Sequence, residues 1–151
     1  MTISIQVEAI APLIESELWP LLEAHRDELT TNKELMNLAP DIGRYAAMED
    51  AGFMFGLTAR ENGHVVGYSV NLISQHLHYS ALRYVHNDVL FLDKGHRFGT
   101  LGLRMLRATR AEAKARGAEL VVWHAKPGTP LESILRRQGA RVQDILFSEV
   151  L

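Results

Sequence analysis

Residues 88–102 read Asp88-Val89-Leu90-Phe91-Leu92-Asp93-Lys94-Gly95-His96-Arg97-Phe98-Gly99-Thr100-Leu101-Gly102, and their order decides the fold. An apolar run, Val89 to Leu92, ends in a polar turn, Asp93 to His96. An arginine and two glycines follow, and then a strongly helical stretch begins. The arrangement is strand, arginine-bearing Gly-rich loop, helix. Such a loop aims several backbone N–H groups and the positive end of the helix dipole at one spot, which suits an anion and above all a phosphate. As a turn-and-packing device alone, Gly99 and Gly102 would make a tight bend and a close helix–sheet contact; both readings stand at this point.

Outward from this stretch, the elements alternate in a recognisable way. Ile3 to Val7 alternates apolar and polar residues and predicts a short strand. Pro12 to Leu29 reads as a helix, with Pro20 a point of kinking or splitting. Thr31-Asn32-Lys33-Glu34 has the form of a capping box and predicts a second helix from Asn32, interrupted at Pro40 and resuming to Ala51. Phe53 to Arg60 and His64 to Ile73 are strand-like and are separated by Glu61-Asn62-Gly63, a strong hairpin signal. Leu82 to Leu92 is the next strand. Thr100 to Arg116 is a helix closed by Gly117. Leu101, Met105, Leu106, Ala108, Thr109 and Ala113 share one face of it, and Arg104, Arg107, Arg110 and Lys114 gather opposite. Glu119 to His124 reads as a buried strand. Thr129-Pro130-Leu131-Glu132 opens a helix that ends at Gly139, and Arg141 to Leu151 supplies a last strand. The order is β-α-α-β-β-β-α-β-α-β. The passage from Leu82 to His124 should be a right-handed parallel crossover. The expected fold class is α/β, a mixed and mostly antiparallel sheet with helices on both faces.

Bulk properties bound the function. The 151 residues are expected to form one domain, 1–151, around one core. At 47% hydrophobic, 23% charged and a net charge of −2, the composition is that of an ordinary globular protein and not of a dedicated nucleic-acid binder. No apolar run approaches the roughly 20 residues that span a bilayer. Met1 to Ile10 carries Glu8 and no basic residue, unlike a signal peptide, so the cytoplasm is the expected compartment. The absence of cysteine excludes disulfides, thiolate catalysis and Cys-ligated zinc. Residues 1–61 hold 11 acidic and 4 basic side chains, and residues 62–151 hold 7 and 12. A basic half suits an anionic ligand and an acidic half a cationic partner, although two solvated faces would look the same.

The element order, with Leu90-Phe91-Leu92-Asp93-Lys94-Gly95-His96-Arg97 running into a Gly-containing loop and helix, resembles the GCN5-related N-acetyltransferases. The resemblance covers most of the chain and is firmest from Glu61 to Ala140. Compact members, including ones encoded by bacteriophages, share this plan. It implies acetyl-CoA as co-substrate and transfer of an acetyl group to an amine. The backbone of Leu90, Phe91 and Leu92 would hold the pantetheine arm, and Arg97, Phe98, Gly99, Thr100, Leu101 and Gly102 the pyrophosphate. Arg104 would reach a CoA phosphate. The family loop is Arg or Gln, two residues, Gly, one residue, then Gly or Ala. Arg97 and Gly102 fit it, whereas Thr100 stands at the central glycine, where its hydroxyl could cap the helix. The family's leaving-group acid, a tyrosine four residues before a Gly-Phe pair, is replaced: the pair here is Gly139-Ala140 and the position is Leu135.

Direct transfer needs a base for the amine and stabilisation of the oxyanion, and no acyl-enzyme nucleophile. Asp88 is the first candidate base. Strand alternation would place His86, Asp88, Leu90 and Leu92 on one face, where apolar neighbours would raise the carboxyl pKa; a structural Asp bonding backbone N–H groups is the competing role. His86 is the second candidate, and His124 would face the same opening. Tyr79 and Tyr84 are the substitutes considered for the missing acid, with a buried packing role the competing one for Tyr84. His76 and His78 have metal-ligand spacing but no clear third ligand, so no metal is expected. The family's acceptor site is bordered by its first two helices, and here that region carries Glu15, Glu17, Glu23, Asp27, Glu28 and Glu34. That favours a cationic acceptor such as a polyamine, an aminoglycoside, or a lysine or N-terminal amine. Nucleic-acid and membrane partners are not expected. The family includes many homodimers, and the residues leave monomer and dimer both open. The competing reading is a catalytically inactive module that keeps the fold for binding or regulation.

Overall fold

The structure is a computed structural model that describes residues 2–151. Its centre is a five-stranded sheet in the order β1-β2-β3-β4-β5, formed by β1 (Ile3–Val7), β2 (Met54–Glu61), β3 (His64–Gln75), β4 (Arg83–Leu92) and β5 (Leu120–Trp123). Neighbours are antiparallel except for the β4–β5 pair, which is parallel and joined through α3 (Leu101–Ala115). The β2–β3 turn is the two-residue hairpin that Asn62-Gly63 predicts: both residues have positive φ, 51° and 83°, and Glu61 pairs with His64.

Helices cover both faces. On one, Ile10, Leu13, Ile14, Leu18 and Leu21 pack on Met54, Tyr68, Val70 and Phe91. On the other, Leu101, Met105 and Ala113 of α3 pack on Phe55, Leu57, Ala59 and Val85, as the apolar face of that helix predicts. Leu18, Met105 and Leu106 are fully buried, and each such side chain contributes roughly 1.5–3 kcal/mol relative to an exposed one.

Three segments depart from expectation. The stretch from Ala11 to Leu29 is helical throughout but in three pieces: a 3-10 turn (Ala11–Leu13), a π turn (Ile14–Leu18) and α1 (Trp19–Leu29). Pro20 sits in the first turn of α1, where its missing N–H costs nothing, so it restarts the helix and does not kink it. Residues 31–35 form a turn and no helix. Asn32 takes φ 53°, and Arg26 donates to the carbonyls of Lys33 and Met36, which holds the turn closed. The next helix, α2 (Ile42–Asp50), begins after Pro40, with Asp41 accepting from the Arg44 N–H.

The third departure is at the sheet's end. Arg141 to Leu151 forms no strand and is exposed, so the order closes at α4 (Pro130–Arg137). With nothing beyond it, β5 is an edge strand; Leu120 is exposed and Val121 to Trp123 are half-buried. The reciprocal capping box before α4 does not form. Glu132 accepts from the Gly128 N–H, while the Thr129 hydroxyl donates to the Lys126 carbonyl. Among the described residues no helix is long and apolar enough to cross a membrane.

Candidate active site

The site begins where β4 stops behaving as a regular strand. On β3, Val70 and Asn71 are consecutive, yet their partners are Val89 and Asn87, so Asp88 is the extra residue of a β-bulge. A buried polar cluster holds it. The Asn87 amide donates to Ser69 Oγ (3.0 Å), Asn71 Oδ1 (2.7 Å) and, across the bulge, the Val89 carbonyl (3.1 Å). Pairing with β5 ends at the same place, Asn87 opposite Trp123. From Asp88 to Leu92 the strand has no partner on its β5 side, which leaves a cleft with a backbone wall.

The bulge also overturns the expected alternation. Leu90 and Leu92 pack with the α3 side, whereas Val89 and Phe91 pack toward α1. One residue inserted at Asp88 puts His86 on the face of Phe91 and not on that of Leu90. Asp88 itself is exposed and does not lie among apolar neighbours. Its negative charge nonetheless acts on His25 of α1, Tyr45 of α2, Tyr68 of β3 and His86 of β4.

These groups have physical states worth naming. His25 is pushed below the usual histidine range by burial, with Asp88 and Glu28 opposing. Its Nδ1 lies 3.1 Å from the Tyr68 hydroxyl, and its ring stacks 5.1 Å from Phe91. Burial raises the Tyr68 and Tyr45 phenols, so both stay protonated. His86 is lowered by burial and then by His124, whose Nε2 is 2.5 Å from its own with the rings edge to face. Two imidazoles at that distance share one proton at most. His25, Tyr45 and Tyr68 escape a search for sequence motifs. His25 was nevertheless legible: with Leu18, Leu21, Leu22 and Leu29 it continues the buried stripe of α1.

Below the cleft the chain enters the loop. Asp93 caps the short 3-10 turn Lys94–His96 by accepting from the Gly95 N–H, and also binds His96 Nδ1 at 2.9 Å. Glu61 takes the other side of that ring at 3.1 Å. Glu61 first and Asp93 second hold the His96 pKa above its usual value. The Arg97 side chain does not point to an anion site. Its Nε donates to the Leu92 carbonyl at 2.9 Å, its two terminal nitrogens pair with Glu28 of α1 at 2.5 and 2.7 Å, and it lies over the Phe91 ring. Arg97 is thus a staple between loop and α1. Arg104 is likewise engaged elsewhere, donating to the Ile3 carbonyl of β1 at 2.7 Å. Thr100 is the N-cap residue of α3, but its hydroxyl makes no capping bond, because ψ is 1° and not extended.

The backbone keeps what these side chains give up. Gly99 has φ 83°, which turns the loop toward the start of α3. A Cβ on Gly102 would sit 3.4 Å from Ile134 Cδ1, an ordinary contact distance, so α4 packs beside this position without requiring a glycine. Among the described residues, no acceptor outside α3 takes the N–H groups of Phe98 to Leu103. Free N–H groups at the start of a 15-residue helix suit an anion.

No family model and no curated protein sequence matches the chain. Solved structures do. A ribosomal-protein-alanine N-acetyltransferase from Brucella melitensis biovar Abortus 2308 is 18% identical, covers 99% of both chains and gives a TM-score of 0.71. An aminoglycoside acetyltransferase from an uncultured soil metagenomic sample, in complex with sisomicin, is 18% identical over 99% of this chain and 96% of the other, at 0.75. Glucosamine-6-phosphate N-acetyltransferase from Arabidopsis thaliana is 14% identical over 99% of both, at 0.74. The fold is that of the GCN5-related N-acetyltransferases.

On this acetyltransferase fold the remaining expectations can be located. Leu135, at the position of the family's tyrosine, is 7% exposed and part of the core. Tyr79 lies exposed in the β3–β4 loop, its ring against His76. Nδ1 of His76 accepts the N–H groups of His78 and Tyr79, so the His-x-His pair is a loop brace. Much of the acidic region is internally paired. Glu17 binds Arg60, Glu23 accepts from Trp19 Nε1 and Glu28 holds Arg97.

Proposed function

We propose that this protein is an acyl-CoA-dependent N-acetyltransferase that moves an acetyl group from acetyl-CoA to a primary amine by direct transfer. The single observation that carries the reading is the continuity of two backbone surfaces: the strand beyond Asp88, which has no neighbouring strand on its β5 side, and the free N–H groups from Phe98 to Leu103. An extended arm with an anionic end matches both.

Acetyl-CoA supplies the activated thioester carbonyl. This chain's own groups do the rest. The backbone of Leu90, Phe91 and Leu92 lines and orients the cleft. The loop from Arg97 to Gly102 holds the pyrophosphate through its N–H groups, with the Arg97–Glu28 pair fixing the loop against α1. An amine arrives protonated at neutral pH and must lose that proton. Asp88 gives the electrostatic attraction, and the neutral His86, paired with His124, takes the proton directly or through water. His25, held neutral beside Tyr68, is a second acceptor on the opposite wall. No acid replaces the missing tyrosine; a thiol with a pKa near about 8.5 departs acceptably as thiolate. Asp88 and the exposed Glu15, Asp27 and Glu34 favour a cationic amine, and the aminoglycoside acetyltransferase in its sisomicin complex supports such an acceptor.

A non-catalytic binding module is the second reading, favoured by the buried Leu135. Titration calorimetry with acetyl-CoA, followed by a thiol-release assay over a panel of amines, separates the two. The chain has no cysteine, so every thiol detected is product. Binding with release supports the enzyme; binding without release for any amine supports the module; no binding by folded protein ends the acetyltransferase reading and leaves a fold without its co-substrate.

A further inference from the structure

The acetyltransferase reading leaves Lys126 unused, although the fold carries it to the cleft. β4 and β5 run parallel in register, Tyr84 beside Leu120 and Asn87 beside Trp123. Pairing stops there and the two chains part. Counted on from the last pair, with the bulge at Asp88 allowed for, Lys126 comes level with Leu90 and Phe91. The segment after β5 thus borders the cleft on its β5 side.

A turn fixes where Lys126 stands. Lys126-Pro127-Gly128-Thr129 has proline at its second position and a glycine of φ 77° at its third, as a type II turn requires. The Lys126 carbonyl accepts from the Thr129 N–H at 3.3 Å and from the Thr129 hydroxyl at 2.7 Å. The Gly128 N–H donates to Glu132, in the first turn of α4, at 2.7 Å. The main chain is tied down, while the Lys126 ammonium is exposed and makes no hydrogen bond or ion pair among the described residues. Lys33, by contrast, donates to the Asp27 carbonyl.

The charge of Lys126 acts on His25 of α1, the ring that also feels Asp88. That ring stacks 5.1 Å from Phe91, a residue of the strand segment assigned to the thioester arm. An amine on a fixed base, level with that segment and near a neutral imidazole, stands where an acceptor must stand. Being tethered, it reacts without a separate binding step.

We infer that the Nζ of Lys126 is an acetyl acceptor of its own chain, acetylated by acetyl-CoA bound in the same molecule. The inference rests on the acetyltransferase reading. The lysine amine is protonated at neutral pH and gives a proton to His25. In the tautomer whose Nδ1–H donates to the Tyr68 oxygen, the Nε2 of His25 is open to take it. Nζ then attacks the thioester carbonyl carbon. The N–C bond forms, the C–S bond breaks, and the sulfur leaves as thiolate and takes the second proton from nitrogen. The product is a neutral amide, so the transfer removes a positive charge that opposes entry of a cationic amine.

The chain has four lysines, Lys33, Lys94, Lys114 and Lys126, all exposed, so the other three report uncatalysed acetylation in the same sample. Full-length protein is incubated with acetyl-CoA and each lysine is followed by peptide mass spectrometry, while calorimetry measures acetyl-CoA binding separately. Lys126 should be acetylated at least about tenfold faster than any other lysine. Its rate per chain should not change with protein concentration, and excess CoA should slow Lys126 alone. Lys126→Arg keeps the charge and offers no acceptor amine; it should stay folded, bind acetyl-CoA and gain acetyl only at the uncatalysed rate. Binding with Lys126 labelled no faster than the others overturns the inference and leaves the acetyltransferase reading standing. So does labelling of Lys126 that excess CoA does not slow, which is solution chemistry, or that rises with protein concentration, which is transfer between copies. No binding by folded protein overturns both.

Discussion

Replacing Thr100 by Asp separates the anion-site argument from simple helix stability, because the two respond in opposite directions. Thr100 is exposed, precedes α3 and makes no side-chain cap. A carboxylate there faces the free N–H groups of the first turn. As a charge at a helix N-terminus it should stabilise the protein by about 0.3–1 kcal/mol, raising the melting temperature by roughly 1–4 °C for a chain of this size. The same carboxylate occupies the place assigned to the pyrophosphate. At about 5 Å from two phosphate charges the repulsion is roughly 2 kcal/mol in the limit of bulk water and several times larger at the effective dielectric of a protein surface. Acetyl-CoA should therefore bind at least about tenfold more weakly. Because this separation is within a Debye length of about 8 Å, physiological salt leaves much of the effect in place. Thr100→Asn is the uncharged control and should bind as the unaltered chain does. Calorimetry for affinity and a thermal melt for stability are the assays. A variant that is more stable yet binds acetyl-CoA unchanged would show that the pyrophosphate lies elsewhere, and the loop would revert to a turn with no ligand.

Other consequences follow from individual residues. Gly99→Ala meets no atom within 4 Å, so its cost is the positive φ alone, about 1–2 kcal/mol by urea unfolding. Leu135→Tyr, which restores the family's acid by sequence, should instead overpack a buried site and destabilise by about 1–3 kcal/mol, without a gain in thiol release. His96 has a folded pKa above its unfolded value, so the Glu61–His96–Asp93 clasp stabilises fully below about pH 6.5 and is lost as pH rises through the folded value; the stability difference between the protein and His96→Gln, measured by urea melts across pH, should shrink in that direction. His86→Asn should lower the thiol-release rate and remove its dependence on an imidazole pKa, while acetyl-CoA affinity stays the same.

The parts of the fold legible in the sequence are those fixed by neighbours in the chain. Asn62-Gly63 forces a hairpin because both residues tolerate positive φ, and the apolar face of α3 is set by helical spacing alone. The parts that were not legible depend on groups far away. The Thr31–Glu34 capping box fails because Arg26 of α1 captures the carbonyls of Lys33 and Met36 and holds a turn. Arg97 and Arg104 look like phosphate ligands until Glu28, 69 residues away, and Ile3, 101 residues away, claim them. Asp88 stands out by its position on the strand before the loop, yet its surroundings were not legible. Alternation predicts apolar neighbours for Asp88, and one inserted residue leaves it exposed, with its charge acting on His25, Tyr45, Tyr68 and His86.

That inserted residue is also what opens the cleft. A central strand must satisfy its backbone groups on both sides, and β4 does so until Asn87. A bulge at the next residue bends the strand, parts it from β5 and turns a carboxylate outward in one step. Hydrophobic packing alone would not hold such a defect. The buried amides of Asn71 and Asn87 and the Ser69 hydroxyl do, by taking the Val89 carbonyl and one another. Burying these polar side chains stabilises the protein little, since hydrogen bonds that replace water contribute only about 0.5–1.5 kcal/mol each. An apolar trio would pack the same space and let β4 run straight. The polar trio is best understood as the support of the cleft, and Asp88 depends on it for its place more than on any residue it touches.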